Sequence, residues 1–483
     1  MRSAMQPTGV EAVPAAPLPE VGLNQDVAEV RREVSAAPAK PPVPSPQASS
    51  VPQSPEDWCA AGDALRADGK LDEAIDAYRE AARLRPESAS IRQHLGIALS
   101  LRRRFADAVE AFSAVVQLRP DDPDAHNNLG AALRAGGKPA EAVEACWRAI
   151  ELRHDFGAAH YNLGRALLAQ KRIDEAIATL TRAIQLQPQQ AEAHRYLGDA
   201  LRDAERLSDA VASYRAALVL RPADAGMHCR LGHVLNDSGR HEEAVEAYRR
   251  AVELKPRFAE VHYNLAGALL VLGRVDEAIE AYQMTAQLKP NLASVHHHLG
   301  DALAMKRRLG EAIGAYSEAV RLKGDSARTF NNLGAALRDA GRFDEAAAAC
   351  RRAIELDSNY ASAHYNLANA LRGLGQLPEA IAAYEFALGL DPSFAQAHNN
   401  HGSALWASGD LDGAIAAYRR ALEFNPQMVE AHRNLEAAMR AKSGAVPTLD
   451  DEWEVYEPDL IPDGPDADAQ PEMSDANANA DPT

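Results

Sequence analysis

The sequence is poor in cysteine, in aromatic residues and in long apolar runs. Four cysteines and 5% aromatic residues occur among 483 residues. No two cysteines lie close in sequence, which disfavours a disulfide framework or a zinc-spaced cysteine cluster and favours reduced thiols. No run approaches the ~20 apolar residues of a membrane span, and no apolar stretch typical of a secretory signal follows Met1. We therefore expect a cytoplasmic protein without a membrane span.

Positive charge is also in deficit. The chain has 51 Lys and Arg against 69 Asp and Glu, for a net charge of −18. Nucleic-acid binding needs a basic surface, so this balance argues against it. The sequence contains no Gly-rich phosphate loop, no nucleophile elbow and no cysteine pair at zinc spacing. We expect no catalytic residues, no cofactor and no metal ion.

What the sequence does have is a 34-residue repeat. The stretch from Ala361 to Phe394 recurs with copies opening at Ala327, Ala293 and Ala259. Steps of 34 residues from Pro55 give eleven units that end at Met428 without insertion or deletion. Self-similarity at such a period is the signature of a solenoid. Positions below are numbered 1 to 34 within each repeat, starting at Pro55.

Each repeat reads as two helices. Leucine at positions 7 and 11, with Gly or Ala at position 8, forms one apolar stripe together with position 4 at helical spacing. Gly or a charged residue near position 15 ends the first helix. The second helix opens with acidic residues, which suit its N-terminus, and presents Ala at 20, usually an aromatic at 24 and usually Ala at 27. Proline near position 32 ends it.

The Leu-Gly, Ala, Tyr, Ala and Pro spacing over residues 55–428 resembles the tetratricopeptide repeat (TPR) family. The resemblance implies an all-α fold, a right-handed superhelix or α-solenoid of eleven helix-turn-helix repeats. Residues 429–442 would form a C-terminal capping helix. Small residues at 8 and 20 would admit the neighbouring helix, and the aromatic at 24 would fill the space between helices.

The two ends differ from the repeats. Residues 1–54 contain ten prolines and are predicted to be disordered, with room for one short helix at Asn24–Val34. Residues 443–483 hold twelve acidic and no basic residues and are predicted to be a disordered acidic tail. Trp453, Tyr456 and other apolar residues alternate with acids there. The tail is either a solvated, solubilising segment or a short motif that docks on a partner or on the repeats.

Positions 2, 5, 6, 9, 12 and 13 share the first-helix face that lies opposite the apolar stripe. In the TPR family this face lines a concave groove. Asparagine recurs at position 6, although it is an indifferent helix former, and its amide offers both donors and an acceptor to a peptide backbone. These candidate binding residues are Asn128, Asn162, Asn264, Asn332, Asn366, Asn400 and Asn434. Position 12 adds the arginines Arg134, Arg202, Arg338 and Arg372.

The His-x-Asn-Leu-Gly motif makes the resemblance more specific. It is similar to the superhelical repeats of O-linked N-acetylglucosamine transferase, without the catalytic domain of that enzyme. That resemblance implies that the asparagines clamp a bound polypeptide backbone, most continuously from Asn332 to Asn434. The alternative is that they descend from repeat duplication and merely hydrate a helix surface. The arginines are either ligand contacts for acidic side chains or ordinary solvated charges.

Nine histidines occupy position 4, a place shared with Trp58 and Phe330. A position shared with aromatics is a packing position, so we interpret these histidines as half-buried packing residues rather than metal ligands. They are His126, His160, His194, His228, His262, His296, His364, His398 and His432.

The sequence thus predicts a non-enzymatic scaffold that binds extended or helical segments of other proteins in the TPR groove. The alternative is a substrate-recruiting component of an O-GlcNAc-type glycosyltransferase system, or a protein that inherits that label from its repeats. Self-association stays open, and the sequence names no partner.

Overall fold

The computed structural model describes residues 53–323 and 325–443. These residues form 23 α-helices and no β-strand, which confirms the predicted all-α class. The helices belong to two compact units, an N-terminal unit that ends at Leu254 and a C-terminal unit that begins at Lys255. The predicted disordered segments and the short helix at Asn24–Val34 lie outside the described residues.

The N-terminal unit contains six helix pairs. Its first helices are α1 (Pro55–Ala67), α3 (Ala89–Leu101), α5 (Pro123–Ala135), α7 (Gly157–Ala169), α9 (Ala191–Asp203) and α11 (Ala225–Asp237). Its second helices are α2 (Leu71–Leu84), α4 (Phe105–Leu118), α6 (Pro139–Leu152), α8 (Ile173–Leu186), α10 (Leu207–Leu220) and α12 (His241–Leu254).

The C-terminal unit contains five pairs and one further helix. Its first helices are α13 (Ala259–Val271), α15 (Ala293–Met305), α17 (Ala327–Asp339), α19 (Ala361–Gly373) and α21 (Ala395–Ala407). Its second helices are α14 (Val275–Leu288), α16 (Leu309–Leu322), α18 (Phe343–Leu356), α20 (Leu377–Leu390) and α22 (Leu411–Phe424), and α23 (Val429–Ser443) follows. None of the helices in these two described units has the length and apolar content needed to cross a bilayer.

Small residues let the paired helices approach. All eleven alanines at position 20 are fully buried. At position 8, a Cβ added to Gly300 would lie 2.6 Å from the ring of Tyr316, and one added to Gly130 would lie 2.4 Å from Cys146 Sγ. Such distances are shorter than real carbon contacts, so position 8 is small because the residue at position 24 packs directly against it. The structure confirms this part of the sequence prediction.

The turn inside every repeat uses a left-handed residue. Position 15 has positive φ in all eleven repeats. Seven of these residues are glycines, and the other four are Arg103, Lys171, Glu205 and Arg307, with φ between 57° and 63°. A left-handed residue ends the first helix and redirects the chain, which glycine does without steric cost. The four charged residues adopt this conformation at a cost.

The first helices are buried on more than one side, which differs from our expectation for position 5. That position was assigned to the exposed face, but Asn127, Tyr161, Asn331 and Tyr365 are at most 6% exposed there. The reason is that first helices contact their own second helices and several also contact the first helix of an adjacent repeat, as α17 does with α18 and α19. The first-helix face therefore has a covered edge as well as an open one.

Candidate peptide-binding face

The predicted asparagines do not all point into solvent. Asn128, Asn162 and Asn366 are buried. The remaining four are half-buried: Asn264, Asn332, Asn400 and Asn434. The expectation that position 6 points away from the packed side is thus wrong for the three buried residues, two of which, Asn162 and Asn366, bond to the first helix of the preceding repeat.

Most of these amides bond to the preceding repeat. Nδ2 of Asn162 donates to Oδ1 of Asn127 at 2.9 Å, and Nδ2 of Asn366 donates to Oδ1 of Asn331 at 3.0 Å. Position 6 of one repeat therefore meets position 5 of the repeat before it, 35 residues earlier. Asn434 bonds to Asn399 in the same way at 2.9 Å. Buried amides must be paired, so these bonds hold consecutive first helices in register.

Position 9 supplies a second type of link. Asn332 Nδ2 donates to Asp301 Oδ1 at 3.0 Å, and the hydroxyl of Tyr316 donates to the same oxygen at 2.7 Å. Asn400 Nδ2 lies 3.1 Å from Asn369 Oδ1, which also accepts from Tyr384 at 2.5 Å. We call positions 5, 6 and 9 of the first helices the polar row. Where these bonds form, they connect a repeat to the one before it, and at Asp301 and Asn369 also to the tyrosine at position 24.

Charged groups fill the polar row at α9 and α11. Asp199 accepts from the hydroxyl of Tyr214 at 2.5 Å and pairs with Arg195 at 3.3 Å and Arg230 at 3.2 Å. Arg195 also pairs with Glu192 at 2.7 Å. Arg195 and Asp199 are buried, so each charge depends on its partners.

The four predicted arginines fall into two groups. Arg134, Arg202 and Arg372 are half-buried, as a groove margin requires. Arg338 is buried, pairs with Asp339 at 2.8 Å and donates to Asn366 Oδ1 at 2.7 Å. The expectation that Arg338 lies at the groove margin is wrong, since the carboxylate of Asp339 and the amide of Asn366 draw it inward.

The position-4 histidines have a role that the sequence interpretation missed. Nε2 of all nine lies within hydrogen-bond distance of a backbone carbonyl six residues earlier, as in His126 with Pro120 at 2.8 Å and His398 with Pro392 at 3.0 Å. A carbonyl only accepts, so Nε2–H is the donor. Each bond ties a first helix to the loop that precedes it. The sequence signal for this bond was the constant spacing of six residues between position 32 of one repeat and the histidine at position 4 of the next.

The pairs at positions 5 and 6 also had a signal in the sequence. Asparagine at position 5 occurs in three of the eleven repeats, at Asn127, Asn331 and Asn399, and each time position 6 of the next repeat is asparagine too. A search for pairs 35 residues apart would have found these contacts. An analysis of each helix face by itself could not find them, because the sequence of one helix contains no information about the neighbouring repeat.

The shallow clefts lie outside the polar row. One cleft of about 450 Å³ lies between α22 and α23 and is lined by Asp412, Ile415, Arg419 and Met439. Another, between α4 and α5, is lined by Arg103, Phe105 and Asp107. Both are open to solvent and neither contains a predicted binding residue.

Known proteins match this chain through its repeats. A tetratricopeptide repeat family model matches residues 59–123, 94–155, 146–191, 161–225, 229–293 and 365–429, and a second TPR repeat model matches residues 336–375. A comparison with curated proteins gives no match.

Several solved structures are similar to part or most of this chain, each with a TM-score below 0.5. YrrB, described as a TPR protein with an unusual peptide-binding site, is 23% identical, covers 40% of this chain and 99% of its own, and has a TM-score of 0.35. The Cut9–Hcn1 complex of the APC/C is 15% identical, with coverage of 80% and 90% and a TM-score of 0.40. Yeast Tom70 is 18% identical, with coverage of 81% and 96% and a TM-score of 0.34.

These comparisons give no support to the glycosyltransferase alternative. The family assignment rests on the repeat models, whose matches together cover more than half of the 483 residues. The chain belongs to the tetratricopeptide repeat family.

Proposed function

We propose that this protein is a non-catalytic scaffold that binds extended polypeptide segments along the first helices of its C-terminal unit. The binding residues would be Asn332 on α17 and Asn434 on α23, with the position-6 amides of α19 and α21 between them holding the first helices in register. The observation that carries the proposal is that Asn332 and Asn434 are half-buried and fixed by one hydrogen bond each from Nδ2.

Those two amides keep donor capacity for a ligand. A carboxamide nitrogen carries two N–H groups, and the bonds to Asp301 and Asn399 use one each. The bond to the preceding repeat also fixes the side chain, which lowers the entropy lost when a peptide carbonyl is bound.

The asparagines between them, Asn366 and Asn400, act indirectly. Asn366 bonds to Asn331 and Arg338, and both amide hydrogens of Asn400 have partners in Tyr365 and Asn369. These two residues hold the row in register and take no ligand in their present pairing. First helices about 10 Å apart would place Asn332 and Asn434 roughly 30 Å apart. That distance corresponds to about nine residues of extended peptide.

The other predicted residues would add contacts at the margins. Arg372, half-buried on α19, lies in the C-terminal unit, whereas Asn128, Asn162, Arg134 and Arg202 lie in the N-terminal unit. We assign the arginines to acidic side chains of the ligand. Asn264 is half-buried on α13 and would extend the row at its other end.

The test is a selection of random dodecapeptides on phage against the full-length chain. The affinity of enriched peptides is then measured for the parent and for an Asn332→Ala/Asn434→Ala variant. Alanine already occupies position 6 at Ala60, so the fold should tolerate the change. We expect the double variant to bind about 5- to 150-fold more weakly, since each of the two lost hydrogen bonds contributes roughly 0.5–1.5 kcal/mol.

A matched control changes two exposed residues on second helices of the same unit, Arg351→Ala and Glu385→Ala. The control preserves net charge and should bind like the parent. Circular dichroism melts must show that both variants remain folded. Equal affinity of parent and asparagine variant would refute the assignment of the site, and the absence of any enriched peptide would refute peptide binding.

A further inference from the structure

Three side chains of metal-binding type meet at the start of the N-terminal unit. Cys59 and Asp63 are four residues apart on α1, which places them on one face of the helix, and His94 lies on α3. Cys59 occupies position 5, Asp63 position 9 and His94 position 6. They therefore fill the polar row between the first and second repeats, where other repeats have amides or ion pairs.

The three donor atoms converge. Cys59 Sγ lies 3.1 Å from His94 Nδ1, and His94 Nδ1 lies 3.9 Å from Asp63 Oδ1. All three atoms lie within 4.8 Å of one another. Zinc bonds of about 2.3 Å to sulfur and about 2.0–2.2 Å to nitrogen and oxygen place tetrahedral ligands roughly 3.3–3.6 Å apart. The separations in the structure bracket that range, so small side-chain movements suffice.

We propose that Cys59, Asp63 and His94 form a site for a divalent transition-metal ion such as Zn²⁺. One thiolate, one imidazole and one carboxylate are all ligands that zinc accepts. All three residues are half-buried, with His94 and Asp63 side chains 32% and 41% exposed. Water can therefore reach the fourth position. The mixed ligand set disfavours Mg²⁺, which prefers oxygen ligands throughout.

Neighbouring groups orient the carboxylate. The hydroxyl of Tyr78 donates to Asp63 Oδ1 at 2.7 Å, and Arg66 Nη2 lies 3.3 Å from the same oxygen. Hydrogen bonds of this kind fix a metal ligand and commonly change affinity by about 10–100-fold. The guanidinium of Arg66 also opposes a cation electrostatically, so the site suits a metal that bonds strongly to sulfur and nitrogen.

The inference differs from our expectation of no metal, which considered cysteines near one another in sequence and the histidines at position 4. A site that takes one cysteine, with its other ligands from a second helix and from a carboxylate, has no such spacing. The repeat period brings the ligands together, because position 5 of one repeat lies next to position 6 of the following repeat, 35 residues later.

Cobalt(II) titration of the reduced full-length protein tests the site. Thiolate-bound Co²⁺ gives a sulfur-to-metal charge-transfer band, and tetrahedral Co²⁺ gives intense visible bands. We expect one equivalent to produce both bands, Zn²⁺ to bleach them and Mg²⁺ to leave them unchanged. Zn²⁺ should also raise the melting temperature by mass action.

The decisive variant is Cys59→Asn/His94→Asn, which recreates the asparagine pair of three other repeats and should fold. We expect it to lose both bands. Tyr78→Phe should bind metal about tenfold or more weakly, and phenylalanine is tolerated because Phe112 occupies that position in the next repeat.

Cys229→Ser is the matched control, because Cys229 Sγ also lies close to an imidazole, 3.5 Å from His233 Nε2. The control should keep the bands. Bands that persist in the Cys59→Asn/His94→Asn variant, or that vanish in the Cys229→Ser variant, would overturn the proposal. So would the absence of a charge-transfer band in the parent.

Discussion

The two units fill the same positions of their first helices with different chemistry. In the C-terminal unit, Asn366 Nδ2 donates to Asn331 Oδ1, and Arg338 donates to Asn366 Oδ1. The three side chains thus form one hydrogen-bonded cluster. In the N-terminal unit, Asn127 and Asn162 bond in the same way, and Arg134 stands at the position of Arg338. There the cluster is incomplete, because Asn162 Oδ1 and Arg134 Nε are buried without a hydrogen-bond partner.

One residue explains the difference. Position 13 is Asp339 next to Arg338 but Ala135 next to Arg134. The carboxylate of Asp339, only 6% exposed, holds the guanidinium inside at 2.8 Å. Without that carboxylate Arg134 remains half-buried. The arginine at position 12 thus forms a buried hydrogen bond between two repeats in the C-terminal unit, whereas in the N-terminal unit it is a half-buried cation.

The largest expected effect concerns charge in the polar row. Asp199→Ala would remove the buried carboxylate that Arg195 and Arg230 share, and we expect a loss of about 3–5 kcal/mol in local unfolding free energy. Asn369→Ala, at the same position in the C-terminal unit, removes only neutral hydrogen bonds and should cost about 1–3 kcal/mol. Hydrogen exchange read by mass spectrometry would locate each loss, and equal losses would remove the distinction between the units.

Exchanging the residues at position 13 should exchange the conformations of the two arginines at position 12. Asp339→Ala should release Arg338 and destabilise α17 by about 1–3 kcal/mol, since a buried charge loses its partner but can rotate outward. Ala135→Asp should draw Arg134 inward and protect α5 from exchange. Crystal structures of both variants would show the arginine rotamers. An Arg338 that stays buried in the Asp339→Ala variant would contradict the explanation.

Acid should weaken the N-terminal unit at His233. Burial, with the charges of Arg202 and Arg230, lowers the pKa of this histidine to about 4. The unfolded chain takes up the proton near pH 6.5 and the folded chain only near pH 4, so stability falls as pH falls through this window. We expect a loss of about 1–2 kcal/mol between pH 7 and pH 5.

His233→Ala is the control for that pH dependence, because Ala131 and Ala335 occupy the same position in other repeats. Exchange protection of α11 in this variant should depend less on pH by about the same amount. An unchanged pH dependence in the variant would assign the acid sensitivity to other groups.

The smallest expected effect concerns the turn at position 15. Three of the six turns in the N-terminal unit use a non-glycine residue with positive φ, against one of five in the C-terminal unit. Lys171→Gly and Glu205→Gly should each stabilise the chain by up to about 1 kcal/mol, because left-handed backbone is strained for these residues. Gly137→Ala should destabilise it by a similar amount. Melting temperatures of these variants would measure both signs.

The sequence determined the parts of this molecule that depend on one repeat alone. Leucine, glycine and alanine spacing predicted the helix pairs, and Gly130 beside Cys146 follows from the same logic. The burial of Asn366 and Arg338 could not be predicted from one helix face, because it depends on residues 28 to 35 positions away. Whether Arg338 turns inward depends on Asp339, a neighbour on its own helix that the face assignment treated as an independent surface charge.

The most direct test of the central claim is to map where a selected peptide lies. A dodecapeptide enriched on the full-length chain would be synthesised with a photoreactive residue and cross-linked, and the attachment sites identified by mass spectrometry. We predict cross-links on α17, α19, α21 and α23 that are lost in the Asn332→Ala/Asn434→Ala variant. Cross-links confined to second helices or to the N-terminal unit would contradict the account.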